Sequence, residues 1–516
     1  MEEINMPNTL KILLTTDLHG YVMPYDYATG ELRNQGLVRV SPWIKQLRDE
    51  NTLLVDNGDC LQGSPLVLHA MKYTPKEITP IAKALNHLKY DYVNVGNHDF
   101  NYGFDNLLHY MDTLEAPCIC GNIYHKGQQV FKPYQVKVLP NGKKIAIFGI
   151  VTHYIPNWEQ AVNIVDVTFA ETLEYTKNLI KEIKEKEHPD CIIGVYHGGL
   201  ERDMHTGEPT EEITGENQGY EICRQVEGID ILLLGHQHRS QVGKCFNTYI
   251  LQPLQNAREL GYMEYDLDTK EVINAQLLTS HDEIDQDLVE VVREDEEKTQ
   301  KWLDQVIGTF VDYDDLLLPK DLFQARLHKH PCVSFLNAAV QTMIGAQIGS
   351  NFIANECSGF QKRLTMRHLV GTYPYPNTLV KVEINGKDLK AYLEQCANYF
   401  VVENGEVVVN PTYVTPKPEH YNYDMLDGIE YTIKVSNPVG ERIVELSYQG
   451  KDVKDEDTFT LVLNNYRAAG GGNFSMLRNC KVLEDQQKDV VDCLMEYIMS
   501  NPEIRFEHKD NIKVIV

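Results

Sequence analysis

The chain is short of positive charge and of long apolar runs, and those two shortages remove several classes of protein. Lys and Arg number 48 against 75 Asp and Glu, a formal charge of -27. Such a balance repels nucleic-acid backbones and anionic membranes over long range, so neither nucleic acid nor membrane is expected as a partner. No apolar stretch approaches the roughly 20 residues that a membrane-spanning helix needs. The opening MEEINMPNTLKILL has no basic region, and its apolar stretch breaks at Asp17 before a signal-peptide core could form. A cytoplasmic location is expected. Cysteine points the same way: the 11 residues are odd in number, and Cys118 and Cys120 form C-x-C rather than a recurrent C-x-x-C pair. They read as mostly buried thiols. The H-E-x-x-H signature of zinc peptidases is absent, as are internal repeats and low-complexity tracts.

What the first half does contain is five apolar runs that each stop at a residue able to ligate metal. They are LKILLTTDLHG at Asp17 and His19, TLLVDNGD at Asp59, YVNVGNHD at Asn97 and His98, CIIGVYHGG at His197, and ILLLGHQH at His236 and His238. Short Val/Ile/Leu-rich runs bounded by Gly and Asn predict strands buried on both faces of a sheet. Residues just beyond such strands line the crevice at their carboxyl ends, so the polar side chains converge. Asp, Asn and His together suit divalent cations, which also give an acidic protein the local positive charge that phosphate handling requires. Any one of these histidines is unremarkable by itself. Five endings in order are hard to attribute to separate caps and turns.

The pattern predicts two ions side by side. Asp59 is the bridging candidate, with Asp17, His19 and His238 completing one ion and Asn97, His197 and His236 the other. Alternate side chains of D-x-H and H-x-H share one face of an extended segment. His98, next to the Asn97 ligand, is left to face substrate and stabilise developing charge, or else to position the loop through hydrogen bonds. Asp99 is expected to orient that loop. Manganese, zinc, iron and cobalt all accept such ligands, so the identity of the two metals stays open.

At 516 residues the chain exceeds one hydrophobic core, and two domains are expected. Residues 1–281 show βαβ rhythm, with helix-like segments at Leu37 to Arg48 and Thr172 to Glu185. Residues 282–305 predict an amphipathic connecting helix from the spacing of Ile284, Leu288, Val291, Val292 and Trp302. Residues 306–516 combine an apolar helix, CVSFLNAAVQTMIGAQ, with strand-like pieces TLVKVEI, GIEYTIKV and FTLVLNNY, an α+β pattern.

The motifs TTDLHG, NGDCLQGSP, VGNHDFNYG, YHGG and GHQH, in that order, resemble the 5'-nucleotidase and 2',3'-cyclic-nucleotide 2'-phosphodiesterase family over nearly the whole chain. The resemblance implies an α/β fold: a four-layered calcineurin-like metallophosphoesterase domain, then an α+β 5'-nucleotidase C-terminal domain that binds the nucleoside. It places the metal ligands on the seven residues already reached from spacing. In the 5'-nucleotidase branch the loop usually reads GNHEFD, its last Asp supporting the catalytic His. Here Asn101 stands at that position, which resembles the cyclic-phosphodiesterase branch better. Asn can hydrogen-bond His98 but cannot stabilise its cation as a carboxylate would.

Tyr423 and Tyr466 resemble the two aromatic residues that sandwich the nucleobase in the family, although core packing explains either ring equally well. Arg363, Arg367 and Arg467 are candidates for phosphate or ribose contact, with surface exposure as the ordinary alternative. The expected function is two-metal hydrolysis of nucleotide phosphate esters, acting on 5'-monophosphates or on 2',3'-cyclic phosphates followed by 3'-monophosphates. The alternatives are a nucleotide-sugar pyrophosphatase, a catalytically silent nucleotide-binding protein and a metal-dependent amidase. The sequence does not fix the oligomeric state.

Overall fold

In the computed structural model, which describes residues 8–211, 213–375, 377–415 and 417–516, the apolar runs form the centre of two stacked sheets. The first sheet orders its strands Glu271–Thr279, Glu259–Asp266, Thr9–Thr15, Thr52–Asp56 and Tyr92–Val93. The last three are parallel, with Leu13 opposite Leu54 and Val55 opposite Tyr92. The second sheet runs Gln241–Cys245, Thr248–Gln252, Ile231–Leu234, Cys191–His197, Lys144–Val151 and Tyr134–Val138. Its central strands are also parallel, Leu233 facing Val195 and Ile147 facing Ile193.

Because both faces of these strands are covered, their sequences are continuous hydrophobic runs rather than alternating ones. Leu10, Ile12, Leu14, Leu53 and Val55 of the first sheet pack with Ile145, Ile147, Ile193, Val195, Ile231 and Leu233 of the second in one core. On the outer face of the second sheet, Leu179, Ile180 and Ile183 of helix Thr172–Glu187 pack with Ile222 and Cys223 of helix Gly219–Gln225 against Phe148, Ile192 and Leu232. Helices Leu37–Leu47 and Pro80–Leu88 contact each other and bury Leu37, Val40, Ile81 and Leu85. Helices and two sheets make the four layers that the sequence leads one to expect.

The chain divides into two compact units, residues 8–26 with 30–299, and residues 300–516 with Tyr27–Thr29. The amphipathic helix spans Gln286–Leu303, with Leu288, Val292 and Trp302 buried. The second unit has a five-stranded sheet ordered Asp424–Asp427, Ile348–Phe352, Thr458–Asn464, Thr378–Asn385 and Lys481–Asp489, and a four-stranded sheet around Ile443–Tyr448 and Glu430–Lys434. Helix Pro331–Ile344, predicted from its apolar run, packs on strand Ile348–Phe352. None of the described helices is long and apolar enough to cross a membrane.

Candidate metal centre

All seven predicted ligands sit within a few residues of a strand's carboxyl end. Asp17 and His19 follow Thr15, Asp59 follows Asp56, Asn97 follows Val93, His197 ends its own strand, and His236 and His238 follow Leu234. The turns that bring them inward are strained. Asp17, His19, Asp59, His236 and His238 have φ of 51°, 47°, 60°, 67° and 55°, the left-handed region that residues other than glycine rarely occupy. Each costs on the order of 1 kcal/mol or more. The apolar strands beneath, where each fully buried Leu, Ile or Val contributes about 1.5 to 3 kcal/mol, hold the turns in place.

Glycine makes the close approach possible. A Cβ on Gly96 would lie 2.1 Å from Asp59 Oδ1, and one on Gly235 would lie 2.2 Å from Thr16 Oγ1 and 3.0 Å from Asp17 Oδ2. Asp99 fastens the Asp59 turn, as expected of a loop-orienting residue. Its carboxylate accepts from the backbone N–H of Asp59, Gly96, Cys60 and Leu61 at 2.7 to 3.0 Å. Burial and the nearby Asp59 charge nevertheless push Asp99 up to about 6.

The side chains form two groups, Asp17 with His19 and His238, and Asp59 with His197 and His236, each with ligand atoms mutually within 4.8 Å. Asn97 Oδ1 lies 3.1 Å from His197 Nε2 and 2.8 Å from His236 Nδ1. The orientation of each ring follows from its outer partner. His19 Nδ1 is 2.8 Å from the Gln62 carbonyl and His197 Nδ1 is 2.6 Å from the Asn57 carbonyl. A carbonyl can only accept, so both rings donate from Nδ1 and turn Nε2 inward. His19 Nε2 then meets His238 Nε2 at 3.0 Å. His236 is reversed: Glu216 Oε1 sits 2.8 Å from its Nε2, leaving Nδ1 to the interior.

These contacts fit a pair of divalent cations better than they fit one another. Asp59 Oδ2 is buried without a hydrogen-bond partner, 3.2 Å from His197 Nε2. Electrostatics record the same tension. Burial alone would lower His197, but the Asp59 and Asp17 carboxylates raise it to about 10. Burial and the neighbouring His238 lower His19 to about 4. Burial opposes ionisation of Asp17 and Asp59, yet the surrounding histidines hold both below the usual carboxylate range. The His19 and His238 nitrogens aimed at each other in one group, and the Asp59 oxygen set against the His197 ring in the other, are donor sets that divalent cations would satisfy.

His98 lies at the edge of this crevice. Its backbone N–H donates to Asp59 Oδ1 at 2.7 Å, its ring meets the His19 ring edge-on at 5.6 Å, and its Nδ1 is 2.8 Å from Asn101 Oδ1.

The residues expected to hold substrate fall in the second unit and are more dispersed. Tyr423 is fully buried, its ring stacked 4.9 Å from Tyr399 and edge-on to Phe400, so it presents no face to a ligand. Tyr466 is partly exposed, with its ring against Gly471, where a Cβ would come within 2.4 Å. Arg467 is 1 % exposed and bound to Asp424 at 2.6 Å. Arg363 is exposed, and Arg367 donates to Asp304 Oδ1 at 2.6 and 3.0 Å. Sequence reasoning missed the partly exposed pair Tyr375 and Tyr421, whose rings lie 5.6 Å apart beside Phe352. It also missed Glu216, which lies in an irregular loop and follows no strand.

A two-sheet sandwich with Asp, Asn and His gathered at the strand ends defines a metallophosphoesterase. The calcineurin-like phosphoesterase model matches residues 10–240, and the model of the 5'-nucleotidase C-terminal domain matches residues 306–479. A Staphylococcus aureus protein of solved structure, provisionally designated a 5'-nucleotidase, is 32% identical, with a TM-score of 0.90 over 98% of this chain and 100% of that one. The chain therefore belongs to the 5'-nucleotidase family of calcineurin-like metallophosphoesterases. The 2',3'-cyclic-nucleotide 2'-phosphodiesterase/3'-nucleotidase of Salmonella typhimurium is 29% identical over 90% of this chain and 81% of its own length. The trifunctional nucleotide phosphoesterase of Bacillus subtilis is 27% identical over 97% of this chain, which spans 38% of that protein's length.

Proposed function

We propose that the chain hydrolyses nucleotide phosphate esters with two divalent cations. Asp17, His19 and His238 would hold one, Asn97, His197 and His236 would hold the other, and Asp59 would serve both. The reading rests above all on the buried Asp59 carboxylate, gathered with His197 and His236, whose Oδ2 has no near partner but the His197 ring at 3.2 Å. Such ions polarise phosphoryl oxygens and make water nucleophilic near neutral pH. The chain's own residues do the rest. Asp99 and the backbone amides hold the Asp59 turn, the carbonyls of Gln62 and Asn57 fix the His19 and His197 tautomers, and His98 turns a ring nitrogen toward the phosphoryl group and leaving oxygen.

Asn101 favours 2',3'-cyclic phosphates, opened and then hydrolysed as 3'-monophosphates. The S. aureus relative's designation favours 5'-monophosphates as a second reading. The partly exposed Tyr466, Tyr375 and Tyr421 offer ring faces for the base, which stacking would hold without demanding one base identity. We place the protein in the cytoplasm, because its eleven cysteines are all free thiols.

The test is a comparison of initial rates of phosphate release from AMP, 3'-AMP, 2',3'-cyclic AMP and a nucleotide sugar with manganese, then with zinc. Fastest release from cyclic and 3'-nucleotides supports the first reading, and fastest release from AMP the second. Saturable nucleotide binding with no phosphate release from any of them would make the chain a binding protein.

A further inference from the structure

We infer that Glu159 is the positioning residue for His98 and acts through the Asn101 side-chain amide. The inference rests on the proposed function only where it assigns His98 a part in hydrolysis. The geometry stands apart from that assignment.

Glu159 follows the short helical turn Ile155–Asn157 and is far in sequence from the VGNHDFN motif. Its Oε2 accepts from Asn101 Nδ2 at 2.7 Å, while its Oε1 accepts from Asn163 Nδ2 and from the Gln160 backbone N–H, both at 2.8 Å. Asn163 also donates to the Asn101 carbonyl at 3.0 Å, so the two segments are joined twice.

Hydrogen-bond direction runs along this chain of contacts with one solution. An ionised carboxylate only accepts, so the Asn101 NH2 must face Glu159. The Asn101 carbonyl oxygen must then face His98, where Nδ1 lies 2.8 Å away. A carbonyl oxygen likewise only accepts, so His98 must carry its proton on Nδ1, and Nε2 is the atom left for the reacting group. Without the carboxylate, an asparagine amide can turn over and present its NH2 to the imidazole at little cost. Glu159 removes that freedom, and the aligned amide dipole carries the influence of its negative charge toward His98.

The arrangement also accounts for asparagine at 101. A carboxylate there would lie against Glu159 and the two charges would repel. The acidic group stands one link out from His98, with the Asn101 amide as the connector.

The experiment uses the metal-replete, full-length protein and the nucleotide it hydrolyses fastest. Glu159→Gln keeps the shape but can face Asn101 with either end of its amide, so kcat is expected to fall about tenfold, with KM changed less than about twofold. Metal content and melting temperature stay at their starting values. Asn101→Asp alone falls at least as far. Asn101→Asp combined with Glu159→Gln exchanges acceptor and donor along the same line and recovers to within about threefold of the parent. Unchanged kcat in Glu159→Gln overturns the inference, and so does a double variant no better than Asn101→Asp. Loss of metal sufficient to explain the fall overturns it as well.

A readout independent of turnover is the ring 15N spectrum of His98, assigned by its disappearance in His98→Gln. The Nδ1–H tautomer is expected in the parent and a mixture in Glu159→Gln, whereas an Nε2–H tautomer in the parent overturns the inference. Absence of phosphate release from the parent would instead refute the proposed function and leave this spectrum to decide the positioning role.

Discussion

Both units of this chain bury charge, and they do so in opposite ways. In the second unit Arg467 grips Asp424 through Nε at 2.6 Å and Nη2 at 3.2 Å, donates further to Asn422 and Tyr421, and lies 4.0 Å over the Phe474 ring. Nearly every donor has an acceptor, and the result is a strut. In the first unit Asp17 and Asp59 are as deeply buried, yet Asp59 Oδ2 has no near partner but the His197 ring at 3.2 Å, histidine nitrogens face one another, and both carboxylates and three of the histidines around them sit in left-handed backbone. Buried charge alone therefore does not mark a site. Buried charge that the protein leaves incompletely satisfied, on strained turns, does.

The sharpest way to break this comparison is to remove one carboxylate from each region. Asp59→Ala should lower hydrolysis about 10³-fold or more, while the dissociation constant of adenosine, followed by calorimetry, stays within about threefold. Retained hydrolysis would deny Asp59 its place between the ions. Arg467→Ala strands Asp424 in the core and should cost about 3–5 kcal/mol in denaturant unfolding of the second unit. Its metal content should match the parent's, and a loss of metal there would erase the distinction between strut and site.

A smaller effect is expected at Glu216, which orients His236 from outside. Glu216→Ala should weaken metal retention against a chelator by about 10- to 100-fold, with the fold intact by circular dichroism. The pH dependence is milder. In the metal-free protein His197 holds its proton up to about 10, so between pH 6 and 8 a metal ion must displace that proton to reach Nε2. Apparent metal affinity should therefore rise with pH, by about tenfold per unit at most for this one proton. A flat profile in chelator competition would remove His197 from the ligand set.

Much of this was legible in the sequence because a strand buried on both faces has a plain signature. LKILL, TLLV, CIIGV and ILLL could scarcely be anything else, and a polar residue just beyond such a run has little choice but to enter the crevice. The residues around the ligands were less legible. Glu216 and Glu159 come from irregular segments, and no spacing rule connects them to His236 or Asn101. Gly96 and Gly235 give no sign in the sequence that a carboxylate will press against them. In the second unit the difficulty is the abundance of tyrosine: with 29 in the chain, nothing local separates the enclosed Tyr423 from the half-buried Tyr375 and Tyr421. Whether a ring is stacked in a core or open to a base depends on tertiary packing that a linear motif does not carry.

The central claim is that the first unit grips a pair of divalent cations, and equilibrium dialysis against manganese followed by elemental analysis tests it most directly. Two ions per chain are predicted for the parent, with clear loss in Asp59→Ala. One ion or none at saturating manganese, or the same content in both proteins, would contradict the account.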